Sequence, residues 1–126
     1  MTRRRLASKS VGGPAGPFSP AVESSHYAFV SLQLPLDGDG RLTAGPPAEQ
    51  AARALENVRL HLEAGGLSLQ SIVLLTVHVR RLEDVAAVDE RLAGAFTPPR
   101  PARTVIAVAD LPYGAAVAIE ALAARY

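Results

Sequence analysis

The sequence predicts an α+β domain in which two helices cover one face of a mixed β-sheet. Three observations lead there. Two segments repeat apolar residues at helical spacing: Ala51, Leu55, Val58 and Leu62, then Leu82, Val85, Val88, Leu92 and Phe96. Short runs rich in Val, Ile, Phe and Tyr flank and separate them, in the order β, β, α, β, α, β, β. The chain has 126 residues, is 48% hydrophobic and lacks cysteine, which suits one domain over residues 1–126 held by an ordinary apolar core.

Residues 1–11 form a basic arm, expected either to fray or to lie as an edge strand. The Gly- and Pro-rich stretch from Gly12 to Pro20 excludes regular helix or central strand and reads as a loop. His26 to Ser31 is a strand, ended by Pro35, and Asp37-Gly38-Asp39-Gly40 marks a tight turn. Pro46 and Pro47 suit the first turn of a helix, Glu49 favours its positive end, and Gly65-Gly66 stops it. Ser71 to Arg80 is a strand, apolar on both faces at its start. The second helix ends at Thr97-Pro98-Pro99. Arg103 to Ala109 and Ala116 to Ala124 are predicted to pair as a hairpin around Leu111-Pro112-Tyr113-Gly114. With both helices on one side, the other sheet face is left bare; if it is also apolar, as the Val-, Ile- and Ala-rich last strands suggest, it needs another chain to cover it.

Charge and composition narrow the function classes. Thirteen Lys and Arg face twelve Asp and Glu, but Arg3, Arg4, Arg5 and Lys9 lie in the first nine residues, so the rest carries a net −3. An acidic body with 5% aromatics and no Trp argues against a nucleic-acid-binding face. The three arginines are followed by Ser8, Lys9, Ser10 and the Gly/Pro run, without the apolar core of a secretory signal, and no segment has membrane-spanning length. A cytoplasmic protein without membrane or nucleic-acid partners is expected. Absence of cysteine excludes thiolate chemistry and Cys-ligated metals.

Most polar features have ordinary explanations. His26, His61 and His78 show no metal-ligand spacing and read as packed or surface histidines, so no metal site is expected. Glu83-Asp84 and Asp89-Glu90 fall on the second helix as a solvated face. Two residues stand apart. Glu120 is the one charge within Ala116 to Ala124, and Arg103 opens the preceding strand in Pro101-Ala102-Arg103-Thr104. On the hairpin, the two share a face when cross-strand partners sum to an odd number, such as 103 opposite 124 and 107 opposite 120. If both residues line clefts, that register is the one expected.

Gly16-Pro17-Phe18-Ser19-Pro20-Ala21-Val22, Phe29-Val30-Ser31-Leu32-Gln33-Leu34-Pro35-Leu36, Ala54-Leu55-Glu56-Asn57-Val58, Pro101-Ala102-Arg103-Thr104 and Ile119-Glu120-Ala121 occur in this order. In these motifs, from about Gly16 to Arg125, the chain resembles the Rid/YjgF family of reactive-intermediate imine and enamine deaminases. The resemblance implies a chorismate-mutase-like subunit assembled as a homotrimer, with sheets turned inward and sites between subunits. It also implies hydrolysis of 2-imino acids to 2-oxo acids and ammonia, without cofactor or metal. Arg103 falls on the family's carboxylate-binding arginine and Glu120 on the residue proposed to handle water.

Four positions depart from the pattern. Phe18 stands where active deaminases usually carry Tyr, Leu32 where Gly follows the serine Ser31, Asp89 where many members have Asn, and Val105 where many have Cys. With Ser31, these are the expected substrate-binding positions. The departures leave open a second reading, a trimer that binds a small carboxylate without efficient turnover or serves a pathway-specific substrate. A ribonuclease activity, attributed to some relatives, is disfavoured by the acidic body.

Overall fold

The computed structural model describes residues 2–13 and 16–125. Six strands form one mixed sheet: β1 (Arg4–Leu6), β2 (Ala21–Glu23), β3 (Tyr27–Gln33), β4 (Ile72–Val79), β5 (Ala102–Ala107) and β6 (Val117–Ala124). Their spatial order is β1-β2-β3-β6-β4-β5, with β4 and β5 parallel and all other neighbours antiparallel. Helices α1 (Pro47–Ala64) and α2 (Val85–Leu92) contact each other, and α1 lies against β3 and β6. Among the described residues no helix is long and apolar enough to cross a membrane.

Helix α1 forms where local signals agree. Pro47 opens it, Glu49 lies in its first turn, and Ala51, Ala54, Leu55, Val58 and Leu62 bury the inward stripe. Gly66 ends it with a positive φ of 76°, while Leu67 N–H donates to the Leu62 carbonyl and Gly66 N–H to that of Glu63. This is a Schellman stop, which needs a residue free to turn left-handed. The α1 stripe packs on Ala28, Val30, Leu75, Val77, Val79, Val117, Ile119, Ala121 and Ala123, the inward-facing residues of the three central strands. The second helical stretch is shorter than its periodicity suggests. Only Val85–Leu92 is α-helix, extended by 3₁₀ turns at Leu82–Asp84 and Ala93–Ala95.

The basic arm is an edge strand. Arg4 pairs with Glu23 in the β1–β2 ladder, and its guanidinium bonds the Glu23 carboxylate, which Arg125 also contacts. Strand β2, three residues long with a charged end, carries too little alternation to be read from sequence.

The predicted hairpin does not form. Strand β4 lies between β5 and β6, pairing parallel to the first and antiparallel to the second. Residues 108–116 do not turn back on β5 but pass across the end of β4. Val108 N–H donates to the Val79 carbonyl at 2.9 Å, and Arg80 N–H to the Ala116 carbonyl at 3.1 Å. The β4-α2-β5 crossover and the insertion of the Ala-rich β6 beside β4 bury the row Val117, Ile119, Ala121 and Ala123 in the main core.

The face opposite the helices presents Tyr27, Phe29, Leu74, Ile106 and Leu122, with Phe29 49% exposed. At one end of this face, Leu34, Leu36, Leu111 and Ala115 fold over Ala118 as a second small core.

Candidate functional site

The ladder registers decide where the two singled-out charges lie. Arg103 is level with Leu75 on β4, whereas Glu120 is level with Thr76. Successive residues of β4 point to opposite faces, so the two charges are on opposite faces of the sheet. The expected shared face through a 103/124 or 107/120 register is therefore corrected: the partner strand is β4, and its alternation separates them. Within one chain Arg103 and Glu120 line different cavities.

Glu120 lies on the bare face, in a depression of about 410 Å³ lined also by Ser19, Phe29, Ser31, Thr76 and Leu122. Its side chain is 44% exposed, and its Oε1 lies 3.5 Å from Nε2 of His78. Ser31 is tied to the loop before β2, where its hydroxyl and its N–H both donate to the Pro20 carbonyl, at 3.0 and 2.9 Å. The β3–β6 register shifts between Val30 and Gln33, breaking the regular pleat beside Ser31 and Leu32. Asn57 of α1 anchors the chain that follows, donating to the carbonyls of Leu34 and Leu36 at 3.0 and 2.9 Å, and accepting from Arg53 at 2.7 Å.

Phe18, Ser31 and Leu32 share a second cavity of about 280 Å³, roofed by Arg5, Ser8 and Gly12–Gly13 of the arm and loop. The Phe18 ring is exposed and packs over Gly16, where an added Cβ would fall 2.5 Å from it. Leu32 packs against the small core around Ala118. His61 closes this cavity from α1, its Nδ1 accepting from Ser8 N–H at 3.0 Å. Burial, with the Arg5 charge adding, holds its imidazole below the usual 6.5.

Arg103 lies at the mouth of β5, facing α2, in a cavity of about 230 Å³ with Asp89, Phe96, Arg100 and Pro101. Its Nη2 donates to Asp89 Oδ2 at 2.7 Å, and both side chains remain about two-fifths exposed. Asp89 thus touches the guanidinium directly. Val105, level with Val77, packs against the main core.

The expected site residues thus form two groups. Phe18, Ser31, Leu32 and Glu120 lie along the bare face and its loop, and Arg103, Asp89 and Val105 lie beyond the sheet, toward α2. Sequence reasoning missed Thr76 and His78, which neighbour Glu120 on the same face. The one signal available was their alternation in Thr76-Val77-His78, polar outward and apolar inward. Among the described residues, no three metal-ligating side chains cluster.

Taken together, the fold and the two groups define a small α+β domain with an uncovered sheet face and, beyond the other face, an arginine paired with Asp89. The chain belongs to the Endoribonuclease L-PSP family, whose model matches residues 9–125, and which includes the Rid, YjgF and RutC proteins. A RutC family protein of Pyrococcus abyssi is 32% identical over 124 residues, covering 98% of both chains. The 2-iminobutanoate/2-iminopropanoate deaminase of Salmonella typhimurium is 34% identical over 125 residues, 97% of this chain and 98% of its own. The crystal structure of E. coli TdcF with bound serine superposes with a TM-score of 0.88 at 30% identity, covering 98% of this chain and 99% of that one.

Proposed function

We propose that the protein is a homotrimeric, cofactor-independent imine deaminase, hydrolysing 2-imino acids to 2-oxo acids and ammonia in sites built between copies. The observation that carries this reading is the division of the site: a guanidinium beyond one sheet face and a carboxylate on the other, uncovered face. Neither half is complete. Docking the bare face of one copy against the β5 end of another would bring Arg103 to the Glu120 depression and cover Phe29 and Leu122. Deaminase names among relatives of about this identity, and the amino acid bound in the E. coli neighbour, support a small carboxylate ligand.

Each residue then has a role set by its chemistry. The guanidinium of Arg103 has five N–H donors, of which Asp89 engages one, and the planar fork matches an α-carboxylate. Glu120 accepts a proton from water as its oxygen adds to the imine carbon, and passes a proton to the nitrogen. Glu120 then takes the hydroxyl proton of the carbinolamine and delivers it to the amino nitrogen, so that the C–N bond breaks, ammonia leaves and the 2-oxo acid remains. Because free imines already hydrolyse in water, orientation of water against a held carboxylate supplies most of what is required.

One contact favours a second reading. Asp89 occupies the cation that a substrate carboxylate would use, and Phe18 offers no hydroxyl, as in a binding protein with little turnover. A ribonuclease reading, suggested by the family's description, meets the net −3 charge beyond residue 9. The test is to generate 2-iminopropanoate or 2-iminobutanoate in situ with an amino-acid oxidase and follow 2-oxo-acid release. Acceleration proportional to protein concentration is expected. Release at the uncatalysed rate would leave the binding reading in its place.

A further inference from the structure

We propose that His78 is a positioning residue for Glu120, setting the orientation of the carboxylate that handles water; this rests on the deaminase reading above. The two side chains meet diagonally across the β4–β6 ladder, in which Thr76 is level with Glu120 and His78 with Ala118. Nε2 of His78 lies 3.5 Å from Oε1 of Glu120, long for a hydrogen bond and closed by a small rotation of the carboxylate. The imidazole is 15% exposed and the carboxylate 44%, so a largely buried ring faces a half-exposed acid.

Among the described residues, the ring's surroundings leave it this one polar contact. Its cross-strand neighbours are Ala118 on β6 and Ile106 on β5, neither with a polar side chain. Its Nδ1 is buried without a hydrogen-bond partner among the described residues. With the proton on Nε2, the ring donates to Oε1, which leaves Oε2 to hold the attacking water. Hydrogen bonds in a resting site are often long and tighten once substrate is bound. An aromatic hydrocarbon at position 78 would fill the same space and leave the carboxylate free to swing.

Two variants and one spectrum test this. His78→Phe keeps the volume and removes the donor, whereas His78→Gln places an amide N–H near the position of Nε2. With folding checked by circular dichroism, H78F is expected to lower kcat roughly tenfold. Its KM should stay within about twofold of wild type, since Arg103 is untouched. H78Q should recover most of the loss. Long-range ¹H–¹⁵N spectra of the wild type should show His78 protonated at Nε2. Wild-type kcat in H78F, equal losses in H78F and H78Q, or a ring protonated only at Nδ1 would each overturn the role of His78 while leaving the deaminase reading intact. A wild type without imine turnover would instead overturn that reading, and this role with it.

Discussion

Arg103 is already engaged by Asp89. The 2.7 Å contact with Asp89 orients the guanidinium and, on the proposed function, places a negative charge beside the substrate carboxylate. With both groups partly exposed, the competition is modest, so Asp89→Asn is expected to lower KM for a 2-imino acid by roughly two- to fivefold. An unchanged or raised KM would mean that orientation by the full charge outweighs repulsion. Arg103→Lys keeps the charge and loses the fork, and should reduce kcat/KM roughly 10- to 100-fold with the fold intact by circular dichroism. Near wild-type kinetics in that variant would show that a point charge suffices.

Among the elements, α1 is the most legible in the sequence, because its proline start, apolar stripe and glycine stop are all local. The pairing of β5 and β6 is not. Leu111-Pro112-Tyr113-Gly114 has the composition of a turn, but which strand lies beside the apolar rows of Val117–Ala124 depends on contacts across the whole sheet, and β4 separates the two. The same gap hides the division of the site: Arg103 and Glu120 stand out as charges beside apolar runs, yet their faces follow from registers with Leu75 and Thr76. From sequence His78 reads as a packed or surface histidine, because its neighbour Glu120 is reached only across the ladder. His61 joins α1 to the arm and carries a prediction for these elements. Its folded imidazole is held below 6.5, so as pH falls through 6.5 the unfolded chain takes up a proton that the folded chain resists, and stability is lost. The urea midpoint should drop between about pH 7.5 and about pH 5.5, and His61→Asn, which keeps an acceptor for Ser8 N–H, should flatten the change. A wild-type midpoint that is constant across that range would contradict it.

For the whole molecule, the proposed trimer rests on the uncovered face. Phe29, half exposed at its centre, would bury the rest of its ring against a neighbouring copy, worth about half of the ~1.5–3 kcal/mol of a whole side chain, for each chain. Light scattering should give about three times the 13.2 kDa chain mass, and Phe29→Asp should shift the population to folded monomer with lost activity. A wild type that remains monomeric at micromolar concentration would refute the assembly. The most direct test of a site shared between copies combines two crippled chains. Arg103→Ala keeps Glu120, Glu120→Gln keeps Arg103, and each alone should be nearly inactive. Co-expressed in equal amounts, they would form mixed trimers in which roughly a quarter of the interfaces join an intact Arg103 to an intact Glu120. Recovery of activity toward that fraction of the wild-type rate is the predicted result; a mixture no more active than its separate parts would contradict a site assembled from Arg103 of one copy and Glu120 of the next.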